Sequence, residues 1–372
     1  MMLKKWSDVL TIVSGKNQKA VVSPNGPYPI YGSGGIMGRA DDFLCEAGTT
    51  IVGRKGTINC PIFVNEPFWN VDTAFGISPG DELHPKYLYY FCCSFNFKEL
   101  DKSTTIPSLA KRDLLQIQMP VPHLNEQERI VSKIEELFSR LDASVAELQT
   151  AKEKLKVYRQ AVLKEAFDSV QANSKRVTIK SVCETIKVGI VIKPTQYYVE
   201  QGGVFAFRNA NVRRNYIEDK DWAMISQEGH QKNLKSQVHI GDVLIARSGV
   251  NLGMAATVPQ KYDGYNAIDV VIAVPKKEFI LSQYLAQYTN SPYGLEIVRK
   301  NQHGAAQGHL NVKEYGNLPI FLPNIPEQYS LLKKIESRLS VCDNIEQTID
   351  TSLQQAEALR QSILKQAFEG EM

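Results

Sequence analysis

Long apolar runs, paired cysteine motifs and a net charge of one sign are what this 372-residue chain lacks. No apolar stretch approaches the roughly 20 residues that a membrane-spanning helix needs. The opening Met1-Met2-Leu3-Lys4-Lys5-Trp6-Ser7-Asp8 leads into no signal-peptide apolar core, so a cytoplasmic location is expected. The six cysteines (Cys45, Cys60, Cys92, Cys93, Cys183, Cys342) form no Cys-x-x-Cys pair, which argues against a zinc site and for reduced thiols; no metal site is expected. Nor do His84, His123, His230, His239, His303 and His309 sit beside a serine, cysteine or carboxylate pattern that suggests a catalytic triad.

What is present is a repeat. Glu126-Gln127, Lys133-Ile134-Glu135, Asp142, Arg159-Gln160, Leu163-Lys164 and Ala166-Phe167 return as Glu327-Gln328, Lys334-Ile335-Glu336, Asp343, Arg360-Gln361, Leu364-Lys365 and Ala367-Phe368, without a gap. In the first copy Ile130, Ile134, Leu137, Leu141, Ser144, Leu148, Ala151, Leu155, Tyr158 and Val162 follow alternating steps of four and three, which predicts a heptad helix with Ser144 as the one break in its apolar seam. Asn125 and Glu128 have capping-box spacing at its start. From Gln127 to Phe167 such a helix is a rod of roughly 60 Å. One amphipathic rod cannot bury its own seam, and the second copy is the natural partner: Leu331, Ile335, Cys342, Ile345, Ile349, Ala356, Leu359 and Ile363 take the matching positions. Arg338 and Ser352 face that seam without an obvious partner, so the pairing is expected to be weaker there.

The rods divide the chain into a globular region at 1–122, a rod at 123–170, a second globular region at 171–323 and a second rod at 324–372. Each globular region is of ordinary domain size. The overall charge of +3 then becomes informative, because the globular regions sum to +7 and the rods to −4. That split favours a polyanion on the globular faces, although the first region at +1 needs any such face to be local.

The globular regions repeat as well. Gly48-Thr49-Thr50-Ile51-Val52-Gly53-Arg54-Lys55-Gly56 reads as a buried strand ending in a basic turn, and Gly241-Asp242-Val243-Leu244-Ile245-Ala246-Arg247-Ser248-Gly249 shares its spacing. The polar loop Lys102–Leu109 before Lys111-Arg112 has its counterpart in Gln302–Leu310 before Lys313. Tyr28–Gly35 is glycine-rich, but no Gly-Lys-Ser/Thr follows and the spacing is not Gly-x-Gly-x-x-Gly; a tight turn carrying exposed aromatics is the better reading. Phe205–Tyr216 is rich in Arg and Asn, side chains suited to guanine and adenine edges, though taken alone a solvated strand and turn explains it as well.

The order globular, rod, globular, rod resembles the specificity subunit of a type I restriction-modification system. The matching pieces are Tyr28-Pro29-Ile30-Tyr31-Gly32, Ile51–Gly56, Asn70-Val71-Asp72-Thr73-Ala74-Phe75, Pro120-Val121-Pro122 before Glu126-Gln127-Glu128-Arg129-Ile130, and Leu244–Gly249. Ile325-Pro326-Glu327-Gln328-Tyr329 departs from the family's Glu-Gln-Arg pattern. The resemblance implies an α+β chain: two globular α/β target-recognition domains separated by two long antiparallel α-helices forming a coiled coil, a pseudo-twofold internal repeat. It implies that each domain reads one half of a split double-stranded DNA sequence. It also implies that the rods act as spacer and dock two methyltransferase subunits, through which restriction and translocase subunits join. The chain itself carries no Asn/Asp-Pro-Pro-Tyr/Phe run, no glycine-rich S-adenosylmethionine loop, no phosphate loop and no Pro-Asp…Glu-x-Lys constellation. A non-catalytic role without a cofactor is therefore expected, with S-adenosylmethionine, ATP and Mg confined to partner subunits. The competing expectation is a stand-alone coiled-coil protein of architectural or regulatory kind that binds DNA.

Candidate DNA contacts in the first domain are Tyr31, Ser33, Arg54, Lys55, Thr104, Thr105 and Lys111. In the second they are Arg208, Asn209, Asn211, Arg213, Arg247, Ser248, Gln307 and His309. Candidate docking residues outside the rod seam are Val131, Phe138, Val145, Val157, Phe167 and Phe368, each of which serves equally well to widen the contact between the rods.

Overall fold

The computed structural model describes residues 2–300 and 309–370. Two compact units make up the chain, residues 1–150 with 349–372 and residues 151–348, so each long helix contributes to both. Among the described residues no helix is long and apolar enough to cross a membrane.

The first unit carries nine strands: β1 Leu3–Lys5, β2 Leu10–Ser14, β3 Tyr28–Gly32, β4 Gly35–Ala40, β5 Thr49–Gly53, β6 Ile62–Val64, β7 Trp69–Asn70, β8 Ala74–Pro79 and β9 Gln118–Pro120. They form sheets in the orders β2-β8-β5-β6, β4-β3-β7 and β1-β9. Strand β5, an inner strand of its sheet, is buried throughout, Thr49 and Thr50 included. The stretch read as a turn with exposed aromatics is instead a hairpin of β3 and β4, and Tyr31 lies edge-on to Phe68 at 5.5 Å. The exposed apolar side chains of that hairpin are Ile36 and Met37.

The second unit repeats the plan with β10 Lys175–Thr178, β11 Cys183–Val188, β12 Val204–Phe207, β13 Ala223–Ile225, β14 Val243–Ala246, β15 Ala255–Thr257, β16 Asn266–Ala267, β17 Val270–Pro275 and β18 Pro319–Leu322. Its sheets run β11-β17-β14-β15, β13-β12-β16 and β10-β18, strand for strand the order of the first unit. The parallel pair β3 with β7 recurs as β12 with β16. Asn70 and Asn266 are both without exposed surface and both donate amide protons inward, to the Val13 and Ala74 carbonyls and to the Asn233 carbonyl and Ser236 hydroxyl.

The long helices are Leu124–Gln171, 48 residues, and Ile325–Glu369, 45 residues. Their starts differ from expectation. Asn125 lies inside the first turn, because the His123 carbonyl already accepts from the Glu126 and Gln127 amides at 2.9 and 3.1 Å. The capping box belongs to the second copy, where Asn324 and Glu327 exchange side-chain to backbone bonds of 3.0 Å each way.

Each unit pairs opposite ends of the two helices, so they run antiparallel. In the first, Ile130, Ile134 and Phe138 share a core with Ile363, Leu364 and Ala367. In the second, Leu163 and Phe167 meet Leu331 and Ile335. The repeated residues Asp142, Arg159, Asp343 and Arg360 then pair reciprocally. Arg360 bonds Asp142 within the first unit and lies 4.4 Å over the Phe138 ring. Arg159 bonds Asp343 at 2.7 Å and Glu346 at 2.9 Å within the second. The seam is less uniformly apolar than the heptad predicts: Tyr158, Ile345 and Leu359 remain exposed where such pairs take over the contact. Arg338 does have partners, Glu165 at 2.8 Å and the Tyr158 hydroxyl at 3.3 Å, and these hold its proton more tightly than usual.

Candidate nucleic-acid interface

Three carbonyl-to-amide bonds build the candidate face of the first unit from the end of β5. The Arg54 amide donates to the Thr73 carbonyl at 2.8 Å, the Leu109 amide to the Arg54 carbonyl at 2.9 Å and the Gly56 amide to the Pro107 carbonyl at 2.9 Å. The basic turn and the polar loop before Leu109 are thereby one structure. Asp101 anchors that loop, accepting from the Ser103 hydroxyl at 2.6 Å and from the Ser103 and Ser108 amides at 3.0 Å each. These bonds, the Ser103 hydroxyl first, hold its carboxyl below the usual carboxylate range. Ser33 joins the same edge, since a Cβ at Gly56 would stand 3.8 Å from its hydroxyl. Lys55, Thr104 and Thr105 are exposed there, while Arg54 is half-buried, its guanidinium 5.8 Å over Phe75.

The second unit repeats the arrangement with more polar detail. The Leu310 amide donates to the Arg247 carbonyl at 2.9 Å, the same bond that ties Leu109 to Arg54. Around it, Asn209 accepts from the Arg247 amide at 2.8 Å and donates to the Ser248 hydroxyl at 2.9 Å. Arg247 bonds Asp269 at 3.1 Å and the Leu310 carbonyl at 3.2 Å, and His309 stands 3.7 Å from the same carboxylate. Asn209, Arg247, Ser248 and His309 are thus brought together. Gln307 lies outside the described residues.

With both faces described, comparison with known proteins becomes specific. Residues 1–153 match the family model for the type I restriction modification DNA specificity domain. The chain is similar to type I specificity subunits. It is 25% identical to the EcoBI specificity subunit of Escherichia coli, covering 87% of this chain and 73% of that one. With the EcoKI specificity subunit of Escherichia coli K12 the identity is 24%, over 69% of this chain and 58% of the other. In fold it is similar to a chain solved in work on complex assembly and conformational transition of the type I restriction-modification system, with TM-score 0.74, 17% identity and coverage of 100% and 98%.

Several expected contacts serve the structure. Asn211 is fully buried: its carbonyl accepts from the Arg208 amide, and its amide donates to the Glu218 and Lys220 carbonyls, so it cannot reach a base. Tyr31 is half-buried against Phe68, and burial followed by the Glu66 charge pushes its hydroxyl pKa upward. The Lys111 ammonium is committed to the Ile12 carbonyl at 2.7 Å. Arg208 donates to the Asp221 carbonyl, and Arg213 to Asn251 beside Glu218, so these arginines brace their turn.

The expected docking set is corrected more sharply. Phe167 has no exposed surface; it sits edge-on to Tyr284 and Tyr288 at 5.4 and 5.1 Å, inside the second unit's core. Phe368, half-buried, packs edge-on in the first unit against Tyr87 and Phe91, at 5.1 and 5.3 Å. Val131 and Phe138 are buried in that core too, Phe138 edge-on to Tyr90. Val157, 71% exposed, and the half-buried Val145 and Phe368 keep surface for another chain. The off-seam apolar residues join rod to globular domain.

Gln127 and Gln328 have a role that repetition signalled without revealing. Both are fully buried. Gln127 accepts from the His84 amide and donates to the Glu82 and Pro122 carbonyls, all at 2.8 Å. Gln328 accepts from Leu281 at 2.9 Å and donates to Phe279 and Pro323 at 2.8 and 2.9 Å. Each glutamine fastens the start of a long helix to its own domain. All six cysteines are free, Cys60 is exposed, and burial pushes Cys45 and Cys183 up to about 12.

Proposed function

We propose that the chain is the non-catalytic DNA-reading subunit of a type I restriction-modification complex, with each globular domain reading one half of a split duplex target. The observation that carries this reading is the repeated junction in which a basic strand end, Arg54-Lys55 or Arg247-Ser248, is tied through Leu109 or Leu310 to a polar loop. The exposed Lys55 offers a cation for phosphate in the first domain, and hydroxyl groups in both with an imidazole in the second offer donors and acceptors for base edges. Two weak readers on one chain gain joint affinity through effective concentration. The long helices dock two methyltransferase subunits, and restriction and translocase subunits join through these. S-adenosylmethionine, ATP and Mg work in those partners, in keeping with the absence of their binding motifs from this sequence.

The test is co-expression of the full chain with a type I methyltransferase subunit encoded beside it. A complex that stays together through size-exclusion chromatography is expected. A chain that binds DNA sequence-specifically yet never retains the methyltransferase would instead be a stand-alone DNA-binding protein.

A further inference from the structure

Asp269 precedes β17 as Thr73 precedes β8, since Ala246 pairs with Val270 where Gly53 pairs with Ala74. The two positions behave differently. Asp269 holds a left-handed backbone, φ 54°, with its amide fixed on the Ile190 carbonyl at 3.0 Å. Its carboxylate receives groups from three separated segments. Arg247 approaches one oxygen at 3.1 Å and His309 stands 3.7 Å from it, while the Asn209 amide lies 3.4 Å and the Ser248 hydroxyl 3.5 Å from the other. Thr73 offers only its carbonyl, to the Arg54 and Lys55 amides.

We propose that Asp269 is the positioning residue that sets base choice in the second domain, an inference that rests on the reading of that domain as a DNA reader. An unpaired carboxylate on such a face would repel phosphate. Asp269 is neutralised by Arg247, whose side chain is only 14% exposed, so its contribution is geometric. It fixes which way Ser248 and the half-exposed His309 present their polar atoms. The arginine is held too firmly between Asp269 and the Leu310 carbonyl to swing onto a guanine. The carboxylate therefore acts through its neighbours and touches no base itself.

The experiment is selection of bound duplexes from a random pool by the full-length chain, wild type against Asp269→Asn. Asparagine tolerates the left-handed conformation, so the substitution removes the charge and keeps the backbone. Expected is at least a tenfold loss of base preference in one half-site, with the other half-site and the melting temperature unchanged. Undiminished preference in both half-sites, or equal loss in both, overturns the proposal. Should Asp269→Asn fail to fold, Arg247→Lys carries the test: it keeps a charge for Asp269 but loses the planar fork whose Nε and Nη1 hold the Leu310 carbonyl and Asp269 together, and the same one-sided loss is expected. A wild-type chain that selects no two-part motif refutes the DNA-reader assignment itself, an outcome separate from failure of the Asp269 role.

Discussion

In the first domain the arginine at the end of β5 leans on a phenylalanine ring; in the second, the arginine at the end of β14 is clamped by a carboxylate and a carbonyl. Strand order, the parallel pair and the bond from arginine carbonyl to loop leucine are the same in both. The difference separates the shared framework from the proposed reading face. What both units keep is what fastens sheet to long helix, and what they vary is the chemistry at the strand ends, where surface loops tolerate change.

The comparison breaks most severely at the repeated phenylalanines. Phe167→Ala should cost about 3–5 kcal/mol in denaturant unfolding, because a fully buried ring leaves a cavity. Phe368→Ala, at a half-buried position, should cost visibly less, and equal losses would contradict the burial difference. Gln127→Ala and Gln328→Ala should each cost about 2–3 kcal/mol, since each strands a domain amide and two carbonyls; here the two copies should agree. A cost confined to one copy would show that the equivalence is only sequential.

Smaller effects follow at the helix pairing. A double-mutant cycle on Arg360 and Asp142 should give a coupling of about 0.5–1 kcal/mol, and one on Arg159 and Asp343 less than the full loss at Arg159, because Glu346 remains as a second acceptor. Additive single mutants would remove the reciprocal pair from the account. The smallest effect concerns pH. Asp101 has a folded pKa below its ordinary 3.8, so its anchoring of the 102–108 loop is complete above that value and is lost as pH falls through the lowered one. Amide exchange at Ser108 should accelerate in that acid window, and exchange indifferent to it would count against the anchor.

Both long helices and the duplicated globular plan were legible because periodicity and spacing survive in residues such as Ile134, Arg159 and Phe167; the antiparallel pairing was expected only from the family resemblance. Roles were less so. Phe167 looks like a docking residue in one dimension because its partners Tyr284 and Tyr288 lie more than a hundred residues away. Arg338 seems unpartnered until Glu165 arrives from the other helix. Asn211 carries a base-reading side chain that the fold spends on its own backbone. Equivalence of Tyr28–Gly32 with the Val204–Phe207 strand was hidden as well, since a shared position beside β7 and β16 leaves no shared residues. Asp269 was hidden too, since its match to Thr73 rests on the pairing of β17 with β14 and of β8 with β5.

The most direct test of two separate readers is the sequence of duplexes retained by the intact chain from a random pool. The account predicts two short conserved blocks separated by an unread gap of constant length. One contiguous block, or two blocks at variable spacing, would contradict it.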